Sequence, residues 1–263
     1  MNPAEYERLE RIDRQHWFYS GKRAIVRYWL ERYASLAPGD LLVDAGAGTG
    51  VWLEEMALRC RVLGIDDHEE SLRLARPRAR GALGLLQARV DALPLASGCA
   101  RVVTALDVLE HLPDDRAALR ELLRILHPAG VLALTVPALS WLWSDWDVAL
   151  RHYRRYHRRQ LLALVRQAGG EVLFCRAFNF AALPAIALIR GLRRLRPPRS
   201  ERLRMEDRLP PAWVNRSLYQ LLVRPACWPR FDPVWGVSLL VLVRPAPESP
   251  LPRRPAVQAF RPR

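Results

Sequence analysis

A strand that runs straight into a glycine-rich turn and then into a helix is the feature that most constrains this chain. The apolar run at residues 41–43 leads into DAGAGTG at residues 44–50, and the amphipathic segment VWLEEMALRC follows. Glycines at such a turn let the backbone bend tightly and approach a ligand at the helix amino terminus, where a side chain would collide. The pattern therefore predicts a strand–helix unit that binds a nucleotide-like ligand.

The spacing of these glycines separates two classes of ligand. Gly46, Gly48 and Gly50 form G-x-G-x-G with Val51 next, so the G-x-G-x-x-G pattern of dinucleotide-binding folds is not met. Asp44 stands two residues before the first glycine, where its carboxylate would repel a pyrophosphate. A cationic ligand without phosphate suits this loop better, and a nicotinamide-dependent dehydrogenase is disfavoured.

Two further carboxylates follow the next two apolar runs. Asp66 ends RVLGID about 20 residues after Asp44, a position from which a carboxylate can accept both ribose hydroxyls. Asp91 follows LGLLQARV and can accept from an adenine exocyclic amine, while Leu93 packs on the ring. We therefore predict a ribose contact at Asp66 and an adenine contact at Asp91 and the adjacent Ala92.

Apolar runs that alternate with helical segments predict an α/β fold. The runs are LLVDAG, RVLGID, LGLLQA, RVVTALDV and GVLALTVP, then EVLFCRAF and, after a long gap, VSLLVLVR. Continuous Val/Leu-rich strands separated by helices are typical of a mostly parallel sheet with helices on both faces. The last two runs fit as final strands of that sheet, with an insertion between them.

Changes in composition suggest the domain boundaries. We predict a helical lid at 1–38, a ligand-binding domain at 39–178 and 236–244, a basic amphipathic helical insertion at 179–235, and a disordered basic tail at 245–263. The tail is rich in Pro and Arg and has few periodic apolar positions. The four cysteines are scattered, so we expect buried thiols in a reducing cytoplasm, with no disulfide framework.

The net charge of +14 predicts anionic partners. In AIALIRGLRRLRP, apolar side chains share one helical face and Arg190 falls on the other with the following arginines. Such a helix can lie on an anionic membrane surface; alternatively, its apolar face packs on the sheet and its arginines are solvated. The amino terminus has no apolar signal-like segment, so we expect a cytoplasmic protein, with peripheral contact at the inner face of the membrane as a hypothesis.

Acidic and imidazole groups cluster after the fourth predicted strand. Asp107, Glu110, His111 and Asp114 form D-x-x-E-H-x-x-D. They could hold a divalent cation, supply His111 as a base, or position the ligand. We favour the last role, place Asp107 among the ligand-binding residues, and predict no bound metal. His152, in HYRRYH after the fifth strand, is a second candidate base beside groups that suit an anionic or phenolic acceptor, and a solvated helix start is the alternative.

Four segments resemble, in order and spacing, the class I S-adenosylmethionine-dependent methyltransferases: LLVDAGAGTG, GIDDHEESLRLAR, VDALPL and VVTALDVLEHLPDDRAALRELLRILHPAGVLALTVPA. The resemblance covers residues 41–137. It implies a Rossmann-like sheet of seven strands with the last one reversed, and S-adenosylmethionine as the cofactor. It also implies that the three glycines surround the methionine moiety, that Asp66 binds the ribose and that Asp91 binds the adenine.

The flanks resemble a narrower bacterial subgroup of methyltransferase-domain proteins, through RQHWFYSGKR, WSDWDVALRHYRRYHRRQL and WGVSLLVLVR. Within the first flank, His16, Trp17 and Phe18 with Arg23 could form a lid over the cofactor, or an aromatic staple between the N-terminal helix and the sheet. The D-x-x-E-H-x-x-D segment resembles the ubiquinone-pathway O-methyltransferases, where these positions can hold a divalent cation.

These features predict methyl transfer to oxygen or nitrogen of a small-molecule or lipid-linked acceptor, with His152 or His111 as the base. The alternative is a regulatory or assembly subunit that binds S-adenosylmethionine without catalysis. A nucleic-acid methyltransferase is disfavoured, because the chain has L-D-V-L in place of an N-P-P-Y motif and no Cys in the TVPAL segment. The acceptor, the methylated atom and the oligomeric state stay open at this point.

Overall fold

The computed structural model describes residues 9–194 and 209–247. Part of the predicted insertion (195–208) and the predicted disordered tail from residue 248 onward lie outside the described residues. The strands are β1 (Leu41–Ala45), β2 (Arg61–Asp66), β3 (Gly84–Gln87), β4 (Ala100–Leu106), β5 (Leu126–Pro137), β6 (Gly170–Phe178) and β7 (Ser238–Pro245). The helices are α1 (Trp17–Tyr33), α2 (Val51–Ala57), α3 (Glu69–Ala75), α4 (Asp115–Ile125), α5 (Asp145–Ala149), α6 (Arg158–Gln167), α7 (Leu183–Arg194) and α8 (Ala212–Ala226).

The seven strands form one sheet in the order β3-β2-β1-β4-β5-β7-β6. The pairs from β3 to β5 are parallel, whereas β7 runs antiparallel to both β5 and β6. The predicted Rossmann-like, mostly parallel sheet is therefore confirmed, and the helices α7 and α8 precede its reversed last strand. Strand order reverses between β1 and β4, and ligands bind at such a switch point beyond the carboxyl ends of the strands.

Helices cover both faces of the sheet with separate apolar cores. One core contains the buried residues of α4 and α6, among them Leu122 and Leu161. The other contains α1, α2 and the end of α8, among them Val26, Leu53 and Leu222. The N-terminal helix is thus a packed layer of the fold along most of its length, and only its first turns reach the carboxyl edge of the sheet.

Local sequence explains where α4 begins and where it ends. Asp114 is the N-cap, and its Oδ1 accepts a hydrogen bond from the amide of Ala117 at 2.9 Å. The helix ends at Ile125, before the Pro128 to Gly130 stop that its periodicity suggests, because Leu126 already pairs with Ala100 of β4. Cross-strand pairing therefore overrides the last turn of the helical pattern.

Within residues 9–194 and 209–247, no helix combines the length and the apolarity that a bilayer span requires.

Gly236 lets the chain pass close to β6 before it enters β7. A Cβ atom at this position would lie 2.3 Å from the carbonyl oxygen of Phe178 and 2.8 Å from its nitrogen. Since backbone atoms cannot swing away, we expect Gly236→Ala to lower the free energy of unfolding by about 1–3 kcal/mol, measured by urea denaturation. Gly39→Ala, which meets no atom within 4 Å, is the control. Equal stability of the two variants would contradict this account.

Candidate functional site

A cavity of about 1170 Å³ opens at the carboxyl edge of the sheet. Segments that follow β1 to β5 line it, together with the start of α1 and one side each of α7 and α8. Ligand pockets commonly measure about 300–1,000 Å³. This cavity therefore has room for a nucleoside cofactor and a second molecule.

The glycine loop forms one wall of this cavity. Gly46 and Gly48 have φ angles of 91° and 54°, in the left-handed region that favours glycine. A Cβ on Gly46 would lie 2.4 Å from a methyl carbon of Val108, whereas one on Gly48 would meet only the Gly46 oxygen, at 3.9 Å. Gly50 is the N-cap of α2, packs on Ala75 and is not among the residues lining the cavity. The loop thus exposes its backbone to a ligand mainly at Gly48.

Asp44 supplies a buried carboxyl group at the bottom of the same wall. Its Oδ1 accepts a hydrogen bond from the hydroxyl of Thr104 at 2.6 Å, and that hydroxyl accepts from the indole N–H of Trp52 at 3.1 Å. Burial raises the pKa of the Asp44 carboxyl to about 7, although the Thr104 hydrogen bond opposes the shift. A cationic ligand in the cavity would favour the ionised form, so the residue suits a positively charged cofactor.

Asp66 links the end of β2 to the glycine loop. Its Oδ2 accepts from the Gly48 amide at 3.0 Å and from the Ser71 hydroxyl at 2.7 Å, and its Oδ1 accepts from the His68 amide at 3.1 Å. Burial raises the pKa of Asp66, and these hydrogen bonds oppose the rise. A carboxylate oxygen has about two acceptor sites. Oδ1 therefore keeps capacity for one further hydrogen bond, and a ribose contact at Asp66 stays a prediction.

The residues predicted to contact the adenine are not the ones that line the cavity in this segment. Both carboxylate oxygens of Asp91 accept hydrogen bonds from Arg89, at 2.9 and 2.6 Å. Arg89 and Val90 line the cavity, whereas Asp91 and Ala92 are not among the lining residues. An adenine contact at Asp91 and Ala92 stays a prediction, and the structure presents Arg89 and Val90 to the cavity in this segment.

Asp107 is held by a cation that sequence reasoning did not assign to the site. The ammonium group of Lys22 donates to Asp107 Oδ2 at 2.5 Å, and the Thr135 hydroxyl donates to Oδ1 at 2.8 Å. Burial raises the pKa of Asp107, but the charge and hydrogen bond of Lys22 outweigh it and keep that pKa below its usual value. Lys22 is the only lysine in the chain. A lone lysine in an arginine-rich sequence was the one feature that could have pointed to a role in the site.

His111 and His152 both line the cavity and lie against each other. Their ring centroids lie 4.6 Å apart, edge to face. His152 Nδ1 lies 3.0 Å from Asp147 Oδ1, and Arg155 donates to the same oxygen at 2.7 Å. Burial raises the pKa of Asp147, but His152 and Arg155 outweigh it and lower that pKa overall, so the carboxylate is ionised. An ionised acceptor places the His152 proton on Nδ1 and leaves Nε2 as the acceptor nitrogen.

Glu110 is the unusual member of this wall. It is completely buried, and among the described residues neither carboxylate oxygen has a hydrogen-bond partner. Burial and the neighbouring Asp107 raise its pKa well above the usual value, which favours the protonated acid. Burial also lowers the pKa of His111 to about 4, so this imidazole is neutral near pH 7.

The structure does not bring together the four residues considered as cation ligands. Asp107 binds Lys22, and Asp114 caps α4. Glu110, His111 and His152 instead offer one donor atom each, all within 4.8 Å of one another. A carboxylate with two imidazoles is a donor set that transition-metal ions accept, so this trio is where a cation could be held.

The start of α1 lies across the glycine loop. His16, Trp17, Phe18 and Arg23 all line the cavity. Arg23 donates to Glu55 of α2 at 2.8 Å and also to Asp13, whose other carboxylate oxygen accepts from the Thr49 hydroxyl. These contacts hold the start of α1 against the loop, and Trp17 and Phe18 pack on the second apolar core. A lid over the cofactor and an aromatic staple both stay predictions.

Comparisons with known proteins agree with this arrangement. A methyltransferase domain family matches residues 43–134. A probable S-adenosylmethionine-dependent methyltransferase of Mycolicibacterium smegmatis is 30% identical over 164 residues, which is 61% of this chain and 61% of that protein. A ubiquinone biosynthesis O-methyltransferase of Pseudomonas putida is 36% identical over 107 residues, 39% of this chain and 46% of that protein. The chain thus spans about three fifths or less of these relatives.

A solved structure shows the same fold over nearly the whole chain. It is the complex between the Haloferax volcanii Trm112 methyltransferase activator and a putative methyltransferase. The TM-score is 0.60 at 18% identity, and the alignment covers 94% of this chain and 95% of that one. At this identity the likeness establishes the fold.

The pKa of Asp44 predicts a pH dependence of cofactor binding. A sulfonium cation binds the ionised carboxylate better than the neutral acid, so affinity for S-adenosylmethionine should rise with pH, by up to about tenfold per pH unit below 7, and level off above it. Titration calorimetry between about pH 5 and 8 measures this. S-adenosylhomocysteine, which lacks the sulfonium charge, should vary less, and Asp44→Asn should remove the difference. Identical pH profiles for the two ligands would contradict the prediction.

The sequence match, the fold and the chemistry of the site all point to the same kind of domain. The matched residues contain the glycine loop and Asp66, and the fold is shared with a putative methyltransferase over 94% of the chain. The cavity offers an open glycine backbone, a buried carboxyl suited to a cation and a carboxylate with capacity for a hydroxyl. Residues 43–134 match the methyltransferase domain family, and S-adenosylmethionine is the cofactor that this match, the relatives and the chemistry of the site imply.

Proposed function

We propose that this protein transfers the methyl group of S-adenosylmethionine to an oxygen or nitrogen atom of a small-molecule or lipid-linked acceptor. The observation that carries the proposal is the shared cavity, in which the glycine loop and Asp66 line one side and His111 and His152 line another. A donor and an acceptor bound in one such space are held close together, and proximity supplies much of the rate enhancement in a group transfer.

Each group of residues has a distinct role in this proposal. The bound cofactor supplies a methyl group activated by its sulfonium. Gly48, Asp44 and Asp66 bind and orient the cofactor, and the start of α1 excludes water from it. The remaining wall, with His111 and His152, receives the acceptor.

His152 is the better candidate for the base. Asp147 orients its ring and fixes the proton on Nδ1, so Nε2 is free to take a proton from an acceptor hydroxyl or amine. His111 has a pKa of about 4 and is a weak base near pH 7, so we assign it a positioning role beside His152.

The lining of the remaining cavity supports an acceptor with an apolar portion. Ile186 and Ile189 of α7 and Val214 and Leu218 of α8 line this part of it. The name of the Pseudomonas putida relative supports oxygen as the methylated atom, since it is an O-methyltransferase of ubiquinone biosynthesis. We therefore favour an acceptor hydroxyl on a molecule with an apolar part.

The test is transfer of labelled methyl from S-adenosylmethionine into a host-cell extract. The products are separated into organic-soluble, small aqueous, protein and nucleic-acid fractions. Label in the organic or small aqueous fraction supports the proposal, and label confined to protein or nucleic acid overturns the acceptor class. No label, with cofactor binding measured on the same preparation, would favour a subunit that binds S-adenosylmethionine without catalysis.

Removal of the candidate base gives a sharper prediction. We expect His152→Ala to lower turnover of the labelled acceptor by about 10²–10⁴-fold, because general-base catalysis is lost, while S-adenosylmethionine affinity stays unchanged. Initial rates and calorimetry measure the two quantities. The matched control is His127→Ala, because His127 is exposed and is not among the residues lining the cavity. Full turnover in His152→Ala would remove His152 from the mechanism.

A further inference from the structure

Helix α7 turns its apolar stripe outward. The exposed residues of its described part recur every three or four positions and carry no charge; they are Pro184, Ala185, Leu188, Ile189, Gly191 and Leu192. Leu188 is 64% exposed and Leu192 54%. A run of apolar side chains facing solvent on one helix marks a contact surface.

The opposite side of α7 faces the core and contains a buried arginine. Arg190 is buried, its guanidinium donates to the carbonyl oxygen of Leu142, and it lies 3.8 Å from Asp147 Oδ2. The alternative considered from the sequence, with the apolar face on the sheet and the arginines in solvent, is therefore wrong for this residue. The buried ion pair anchors α7 with its apolar stripe directed away from the core.

A second helix that lines the cavity also carries an exposed aromatic side chain. Trp213, at the start of α8, is 75% exposed, and the neighbouring Pro210 and Val214 line the cavity. Ile189 of α7 both lines the cavity and is partly exposed. We call Leu188, Ile189, Leu192 and Trp213 the apolar rim, because they lie on the two helices that border the cavity.

The two helices that carry the apolar rim have basic but no acidic residues. Neither α7 nor α8 contains an acidic residue, while Arg216 and Arg224 of α8 are exposed. The whole chain carries a net charge of +14. Trp and Leu flanked by arginines, on helices too short or too polar to span, are typical of attachment to the interface of an anionic bilayer.

We propose that the apolar rim docks on a bilayer that contains anionic phospholipids. Leu188, Leu192 and Trp213 enter the acyl boundary, and the arginines contact lipid phosphates. The side of the cavity that Ile189 and Val214 line then faces the membrane. Attachment itself is independent of the methyl transfer proposed above, whereas delivery of a lipid-linked acceptor from the membrane to the cavity depends on it.

The experiment is flotation of the full-length protein with vesicles at about 150 mM salt. One vesicle preparation contains phosphatidylglycerol and phosphatidylcholine, and the other contains phosphatidylcholine alone. We compare the wild type, the rim variant Leu188→Gln/Leu192→Gln, and the control variant Leu58→Gln/Leu83→Gln. The control residues are 88% and 52% exposed and precede β2 and β3, at the opposite edge of the sheet.

We expect the wild type and the control variant to float with the anionic vesicles and to bind pure phosphatidylcholine more weakly. The rim variant should lose at least about tenfold in partition coefficient, since two leucine side chains no longer leave water. Its S-adenosylmethionine affinity should equal that of the wild type, which shows that it is folded.

Three results would overturn the proposal. The first is no binding of the wild type to anionic vesicles. The second is equal binding of the rim and control variants, which would assign attachment to the arginines alone. The third is a lipid-free dimer or a soluble protein partner that depends on the rim, without vesicle binding. Methyl transfer into the extract is scored separately, so failure of the proposed function and failure of membrane docking are distinguishable.

Discussion

Hydrogen bonds between the glycine loop and the end of β2 hold the cofactor side of the cavity in place. The amides of Gly46 and Ala47 both donate to the carbonyl oxygen of Ile65, at 2.7 and 2.8 Å, and the Gly48 amide donates to Asp66. These bonds satisfy backbone donors that a tight turn would otherwise leave buried without partners. They also place a carboxylate and an open stretch of backbone beside the same space, and the rest of the site is built around that geometry.

Buried charges divide the cavity into two chemically different walls. Lys22 from the distant helix α1 compensates Asp107, the nearby Arg155 compensates Asp147, and both carboxylates stay ionised. Among residues 9–194 and 209–247, no cation contacts the carboxyl group of Asp44 or of Glu110, and burial raises the pKa of each. Desolvation is costly for an unpaired carboxylate, so an uncompensated carboxyl beside a cavity suits a cationic ligand or a proton. Asp44 therefore suits the sulfonium of the cofactor. Glu110 suits a proton and lies beside the two imidazoles of His111 and His152.

Helix α7 shows how a sequence pattern can predict the period of a helix and leave open which face turns toward the core. Its apolar positions do share one helical face. Burial of that face would be the usual outcome. The ion pair of Arg190 with Asp147 turns the other face inward instead, and Asp147 is itself held by His152 and Arg155. The outward direction of the apolar stripe is therefore linked to the same carboxylate that orients the candidate base.

Local features of the sequence determined the fold class, the strand-to-helix turn at 44–50 and the capping of α4 by Asp114, because each depends on residues only a few positions apart. The position of Asp66 at a strand end likewise follows from the local pattern. Only the tertiary structure decided the pairs between distant segments. Lys22 contacts Asp107, and His111 contacts His152 on one wall of the cavity. Asp91 instead binds its near neighbour Arg89 and is not among the residues lining the cavity. Partner choice among buried charges depends on which side chains the packed sheet and helices bring within a few ångströms, and periodicity along the chain does not carry that information.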